Sequence, residues 1–198
     1  MIRVLRKRQR AAGFTLLEVL VVLVIVGVLF AIIASSWVAA MNRQRVTAVR
    51  EQAARVIEEA RADARRTGIA RVVVFDNTDG IPRAAILPRP LNPTTERTAG
   101  FLDDAQINAI TNWRSLGNQS IPANSVELST VPTTAEKQII FEGNGTVAQA
   151  SIDEALETGT VFSVNVKQAR TSAETNRCVV VSTLLGATRL AEGTNCPT

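Results

Sequence analysis

Few side chains in this sequence are equipped for chemistry. There is no histidine and no tyrosine, which excludes imidazole as a general acid–base and as a metal ligand. What remains is one carboxylate, Glu18, inside a long apolar run, two cysteines, Cys178 and Cys196, and the acidic pairs Asp103-Asp104 and Asp153-Glu154. Acidic pairs at turns and helix starts usually serve as caps or solvated surface, and neither pair comes with a nucleophile and its base. Asp76-Asn77-Thr78-Asp79-Gly80 has the outline of a calcium loop, but Thr78 stands where Asp or Asn is needed and the distal glutamate is missing. A tight turn is the expectation there. No catalysis, cofactor or metal is expected of this chain.

Glu18 is the informative group because of what surrounds it. From Phe14 to Met41 the sequence is apolar apart from Thr15, Glu18, Ser35 and Ser36. As a helix that stretch spans about 42 Å, more than the roughly 30 Å hydrocarbon core of a bilayer. A carboxylate at the centre of such a segment costs on the order of 2.5–3.5 kcal/mol, less near its end, so Glu18 calls for a partner. Arg3, Arg6, Lys7, Arg8 and Arg10 precede the run with no acid among them, favouring a cytoplasmic N-terminus and export of everything after Met41. Export makes a Cys178–Cys196 disulfide the default expectation; a free-thiol or redox role is the competing reading.

The whole chain carries 22 Lys+Arg against 18 Asp+Glu, with a pI of about 9.8. Without residues 1–13 the balance is 17 against 18, a net charge of about −1, so the basicity belongs to the leader. Lys167, Arg170, Arg177 and Arg189 are the candidates for a DNA-binding patch, and DNA binding is the alternative function. Aromatic residues make up only 4% of the sequence, and scattered basic residues are more often solvated surface.

Beyond the apolar run the helical pattern persists. Val46, Val49, Ala53, Val56, Ile57, Ala60 and Ala64 form one stripe, with Arg50, Glu51, Glu58, Glu59, Arg65 and Arg66 mostly off it. Glu51 and Arg55 stand in the favourable order for a helical ion pair, and Gly68 supplies a stop. One helix from about Phe14 to Thr67 is therefore expected, its second half covered by the C-terminal part of the chain.

After Gly68 the pattern turns to β, with strands expected at 71–75, 84–87, 126–128, 138–142, 146–149, 161–166, 178–182 and 187–190. Asp79-Gly80 and Asn144-Gly145 are hairpin signals, the prolines of Pro88–Pro93 mark an exposed loop, and a short helix is expected near Leu102–Leu116. The expected fold class is α+β: a long N-terminal helix, transmembrane then amphipathic, packed on an antiparallel β-sheet domain. The boundaries are 1–13 for the leader, 14–41 for the membrane segment, 42–68 for the amphipathic continuation and 69–198 for the exported domain.

The string Arg8-Gln9-Arg10-Ala11-Ala12-Gly13-Phe14-Thr15-Leu16-Leu17-Glu18-Val19 resembles the cleavage and methylation signal of type IV prepilins and type II secretion pseudopilins. The resemblance implies a pilin fold, cleavage between Gly13 and Phe14 by prepilin peptidase, and methylation of the new Phe14 amine. It also implies pairing of Glu18 with the N-terminal amine of a neighbouring subunit. The implied partners are the peptidase, other pilin or pseudopilin subunits, the inner-membrane assembly platform and, before assembly, membrane lipid. Ser35 stands where major pilins commonly carry proline. Further on, Ile139-Ile140-Phe141-Glu142-Gly143-Asn144-Gly145, then Cys178-Val179-Val180-Val181-Ser182 with Gly186 and Arg189, resembles H-type minor pseudopilins and FimT/FimU-like minor pilins. The usual proline before the first glycine is Glu142 here.

Overall fold

The first half of the long helix has no polar face, so nothing within the chain tells it which side to bury. In the computed structural model, which describes residues 15–89, 101–117, 121–131, 137–152, 160–169 and 176–197 without the side chains of 32–36 and 150, α1 covers Leu16–Thr67. The chain divides into two units, Met1–Ala40 and Met41–Thr198, and α1 contributes residues to both. In the first unit the described apolar side chains are exposed all round the helix, from Leu16 and Leu17 through Val28, Leu29 and Phe30 to Trp37 and Val38. α1 runs through Ser35 without a break, as expected where proline is absent. Among the described residues no helix is long and apolar enough to cross a membrane. The unbroken run of described apolar side chains ends at Ala31, while the apolar sequence continues to Met41.

In the second unit the amphipathic stripe does what its spacing demands: Val46, Val49, Ala53, Val56, Ile57, Ala60 and Ala64 are all buried in one core. Arg50, expected off the stripe, is buried too, because it pairs with the distant carboxylate of Glu192. Glu51 and Arg55 do not form the expected pair; the ion pairs within α1 are Arg61–Glu58 and Arg66–Asp63. The helix stops at Gly68, whose φ of 69° suits a residue without Cβ.

Among the described residues, the remaining chain forms two four-stranded antiparallel sheets. β1 (Arg71–Asp76), β2 (Arg83–Pro88), β3 (Arg114–Ser115) and β5 (Gln138–Phe141) make the first, in the order β3-β2-β1-β5. β4 (Val126–Val131), β6 (Phe162–Gln168), β7 (Arg177–Val181) and β8 (Thr188–Glu192) make the second, in the order β4-β6-β7-β8. Both sheets place their inner faces against the α1 stripe, and Phe75 of β1 stacks on Phe162 of β6 with ring centroids 6.0 Å apart. The period of two then assigns the outer faces. Val72, Val74 and Ile140 lie under Leu102, Ile110 and Ala148, while Cys178 and Val180 cluster with Ala191 of the adjoining β8 and with Cys196.

Two sequence expectations fail locally. The helix expected near Leu102–Leu116 is only α2 (Asp104–Asn108). The Gln138 amide, fully buried, clamps the Leu102 N–H and C=O at 2.9 Å each. Past Ile110 the chain extends, so that Arg83 lies 4.7 Å over the Trp113 ring and β3 joins the edge of β2. The strand expected at 146–149 reduces to one bridge between Val147 and Phe141, because the Val147 N–H donates to the Leu184 carbonyl and residues 149–151 turn into a 3-10 helix. The Pro88–Pro93 loop lies outside the described residues beyond Arg89, with Pro88 ending β2.

Candidate assembly site

Thr15 and Glu18 are joined by local geometry. The Thr15 hydroxyl accepts the Glu18 N–H at 3.2 Å, and the Thr15 carbonyl accepts the Val19 N–H at 3.2 Å. Thr15 is thus the N-cap of α1 and Glu18 its third helical residue, the T-x-x-E spacing of a capping box. That signal was open to sequence reasoning, which treated Thr15 only as part of the cleavage string. The position also places a carboxylate in the first turn, where the helix dipole favours negative charge by about 0.3–1 kcal/mol. Glu18 is exposed, ringed by exposed Leu16, Leu17, Val19 and Val22. Such a group, isolated on an apolar rod, offers one strong acceptor for an incoming cation. Gly13 and Phe14, the expected cleavage and methylation residues, lie outside the described residues.

At the other end of the chain the two cysteines are joined. Cys178 of β7 and Cys196 form a disulfide with Cα atoms 5.8 Å apart, leaving no free thiol. The bridge holds the C-terminal tail onto the outer face of the second sheet, and the Asn165 side-chain amide donates to the Pro197 carbonyl at 2.7 Å. The adjoining hairpin is tied to α1. Glu192 accepts from Arg50 at 2.8 Å and lies 3.6 Å from Arg177 Nε, while Arg177 also donates to the Thr47 hydroxyl.

The glycines of the 142–145 segment and Gly186 sit against the C-terminal end of α1. A Cβ on Gly143 would lie 2.2 Å from the Gly68 carbonyl oxygen, so backbone meets backbone there. Gly145 and Gly186, with φ of 83° and 75°, turn over Arg65 and Arg61, and Arg61 Nε donates to the Gly145 carbonyl at 3.3 Å. Glu142 accepts from Arg89 at 2.9 Å.

Residues 8–34 match the prokaryotic N-terminal methylation motif. This is the segment whose leader, Gly13 and Glu18 resemble the prepilin signal, and the motif covers Thr15 and Glu18 of the cap as well. Among solved structures, the minor pilin FimU of Pseudomonas aeruginosa is similar over 79% of this chain and 95% of its own, at 14% identity and a TM-score of 0.49. The minor pseudopilin EpsH of the Vibrio cholerae type 2 secretion system is similar over 76% of this chain and 99% of its own, at 12% identity and a TM-score of 0.47. No curated protein matches the chain.

The methylation-motif segment is the site that the structure leaves open; the acidic candidates among the described residues are absorbed by local structure. Asp103 caps α2 in a full capping box with Gln106, and Asp153 and Glu154 lie outside the described residues. Asp76 accepts from Thr78 and from Arg83, which also holds Asp79 at 2.7 Å. Burial pushes the Asp76 carboxyl up, but the Thr78 and Arg83 hydrogen bonds and the Arg83 charge outweigh it and hold the group below its usual range. Arg66, hydrogen-bonded to Asp63, lowers that carboxyl against a smaller effect of burial, and Arg71 lowers it further. No metal-holding cluster of His, Cys, Asp or Glu occurs among the described residues. Of the basic candidates, Lys167 pairs with Glu127 at 3.3 Å, Arg177 faces Glu192, and Arg170 lies outside the described residues. Arg189 is exposed on β8.

Proposed function

We propose that the chain is a minor pilin or pseudopilin: a structural subunit, not an enzyme, of a type IV pilus or type II secretion pseudopilus. The observation that carries this reading is the methylation motif at 8–34, within which residues 16–31 of α1 are apolar and exposed on every side with Glu18 as their one charge. A helix hydrophobic all round is stable only in lipid or among other helices. Prepilin peptidase cuts after Gly13 and methylates Phe14, and the helix then holds the subunit in the inner membrane with its C-terminal domain exported. In the filament, neighbouring helices replace the lipid and Glu18 pairs with the amine of Phe14 on the next subunit, which offsets the desolvation of both charges. The Cys178–Cys196 disulfide suits an oxidising, exported location.

Intact-mass measurement of the protein from cells with an active peptidase tests the reading. The expected species starts at Phe14 with one added methyl, and Gly13→Leu should leave uncleaved protein in the membrane. A wild-type chain that keeps Met1 overturns it.

A further inference from the structure

Basic residues from distant parts of the sequence gather just past the end of the apolar run. Within the Met41–Thr198 unit, Thr47 accepts from Arg177 and Arg50 donates to Glu192, while Glu58, farther along α1, meets Thr188 at the other end of β8. The start of β7 and the end of β8 therefore lie beside the part of α1 that directly follows Met41. Arg43 stands one turn before Thr47, whose hydroxyl donates to the Arg43 carbonyl at 2.9 Å. Steps of four and three keep Arg43, Thr47 and Arg50 on one face of the helix, the face that Arg177 joins. Lys167 follows the β6 partner of Arg177.

These charges do not balance. Glu127 neutralises Lys167 at 3.3 Å. One oxygen of Glu192 serves both Arg50, at 2.8 Å, and Arg177, at 3.6 Å, and the buried Arg50 Nε has no hydrogen-bond partner. The Arg43 side chain is exposed and has no partner among the described residues. On this face three guanidinium groups, those of Arg43, Arg50 and Arg177, thus share the single carboxylate of Glu192, and the excess is positive. Asp76 and Asp79, the acids at the β1–β2 turn, are both held by Arg83, so neither is left to cancel it.

Position says which anion meets the excess. The apolar run from Phe14 to Met41 is about 42 Å long as a helix, close to the roughly 40–45 Å of a bilayer counted with its headgroups. A subunit anchored by that run brings Met41 to the outer headgroup surface, and Thr47 stands about 9 Å beyond it along α1. The Cα–Cβ bonds of a helix lean toward its N-terminus, so the Arg43 side chain sets out toward the bilayer. An anionic surface acts over about 8 Å at physiological salt, and a guanidinium matches a phosphate with two parallel hydrogen bonds.

We propose that Arg43 and Arg177 hold the phosphate of an anionic phospholipid headgroup in the outer leaflet of the membrane that anchors the chain, so that the exported domain stands on the bilayer by the end of its second sheet until the subunit enters a filament. The contact rests on the membrane-anchored reading of residues 14–41. Duplex DNA offers phosphates too, but the lipid is brought to this face by the anchor itself.

Modification by phenylglyoxal, an arginine reagent, tests the contact on the full chain reconstituted in bilayers, with the rate at each arginine read by peptide mass spectrometry. Between phosphatidylcholine bilayers and bilayers with one part in about four of phosphatidylglycerol, Arg43 and Arg177 should slow about fivefold, the factor equivalent to the roughly 1 kcal/mol of a basic residue at an anionic surface. Arg55 is also exposed but lies about 18 Å farther along α1 than Arg43, and its rate should not change. Arg43→Glu should return Arg177 to its rate in phosphatidylcholine, whereas Arg55→Glu, the same change of charge outside headgroup reach, should leave Arg177 protected. Resistance of Cys178 and Cys196 to alkylation verifies the fold of each variant. Equal rates in the two bilayers for Arg43 and Arg177 of a chain that resists alkaline extraction overturn the contact and leave the anchor standing. Slowing of Arg55 to the same extent overturns it as a general effect of surface charge on the reagent. Protection by duplex DNA in phosphatidylcholine bilayers, without protection by phosphatidylglycerol, overturns it in favour of a nucleic acid. A chain that alkali strips from both bilayers removes the anchor and the contact together.

Discussion

Glu192→Ala should loosen the C-terminal hairpin from α1, by an amount that can be worked out from the burial of its partners. The Arg50 side chain is 10% exposed and that of Arg177 25%, whereas Glu192 is 57% exposed. Among the described residues Arg50 Nε has no hydrogen-bond partner of its own, so the contact of Arg50 Nη1 with Glu192 carries its neutralisation. Breaking a fully buried pair by removing one partner costs about 3–5 kcal/mol, and losing a hydrogen bond to a charged group about 1.5–3. Water reaching the exposed Glu192 end brings the expected loss down to about 2 kcal/mol. For a unit of roughly 150 residues that is a fall in Tm of about 4–8 °C. Arg50→Met removes the buried charge together with its need for a partner and should cost less than Glu192→Ala, and the double variant should resemble Arg50→Met alone. Glu127→Ala, which breaks an exposed pair with Lys167, should stay within about 0.5 kcal/mol. Denaturant unfolding of the full chain in detergent measures all four. If Glu192→Ala costs no more than Glu127→Ala, Glu192 is an ordinary surface carboxylate and the argument from burial is wrong.

Three further outcomes are expected. Glu18→Val should be inserted, folded and largely cleaved yet recovered poorly in sheared filaments relative to the membrane pool; incorporation equal to wild type would eliminate pairing with the Phe14 amine. Opening the disulfide by Cys178→Ser with Cys196→Ser frees a loop whose ends are 18 residues apart in sequence, worth about 3 kcal/mol in the chain-entropy model; an unchanged denaturation midpoint would contradict this. The Asp76 carboxyl is lowered in the folded state, so its contribution is present above the unfolded carboxylate pKa of about 3.9 and is lost as pH falls through the folded value. Thermal melts should therefore steepen in their pH dependence below about pH 4, less so in Asp76→Asn, and an identical acid profile in that variant would show the group to be uninvolved.

The repeats and signals that act over a few residues were legible in the sequence. The seven-residue stripe from Val46 to Ala64 is buried in full because a 3.6-residue period leaves one face for the core. Gly68 ends α1, and the Gly80 and Gly145 turns have positive φ, because those backbone conformations exclude most side chains. The N-terminal motif was readable for the same reason, since leader, glycine and carboxylate act within a short stretch of chain. What the sequence left undecided depends on pairs distant along the chain. Gln138 reaches 36 residues back to clamp Leu102, and the helix expected there shortens to α2. Val147 gives its N–H to Leu184, and an expected strand becomes a single bridge. Arg50 looked like a surface residue until β8 brought Glu192 to it across 142 positions. The division into two sheets has the same origin. Local patterning says which face of an element is apolar, but only the packed chain decides which other element covers it and which apolar groups are left uncovered.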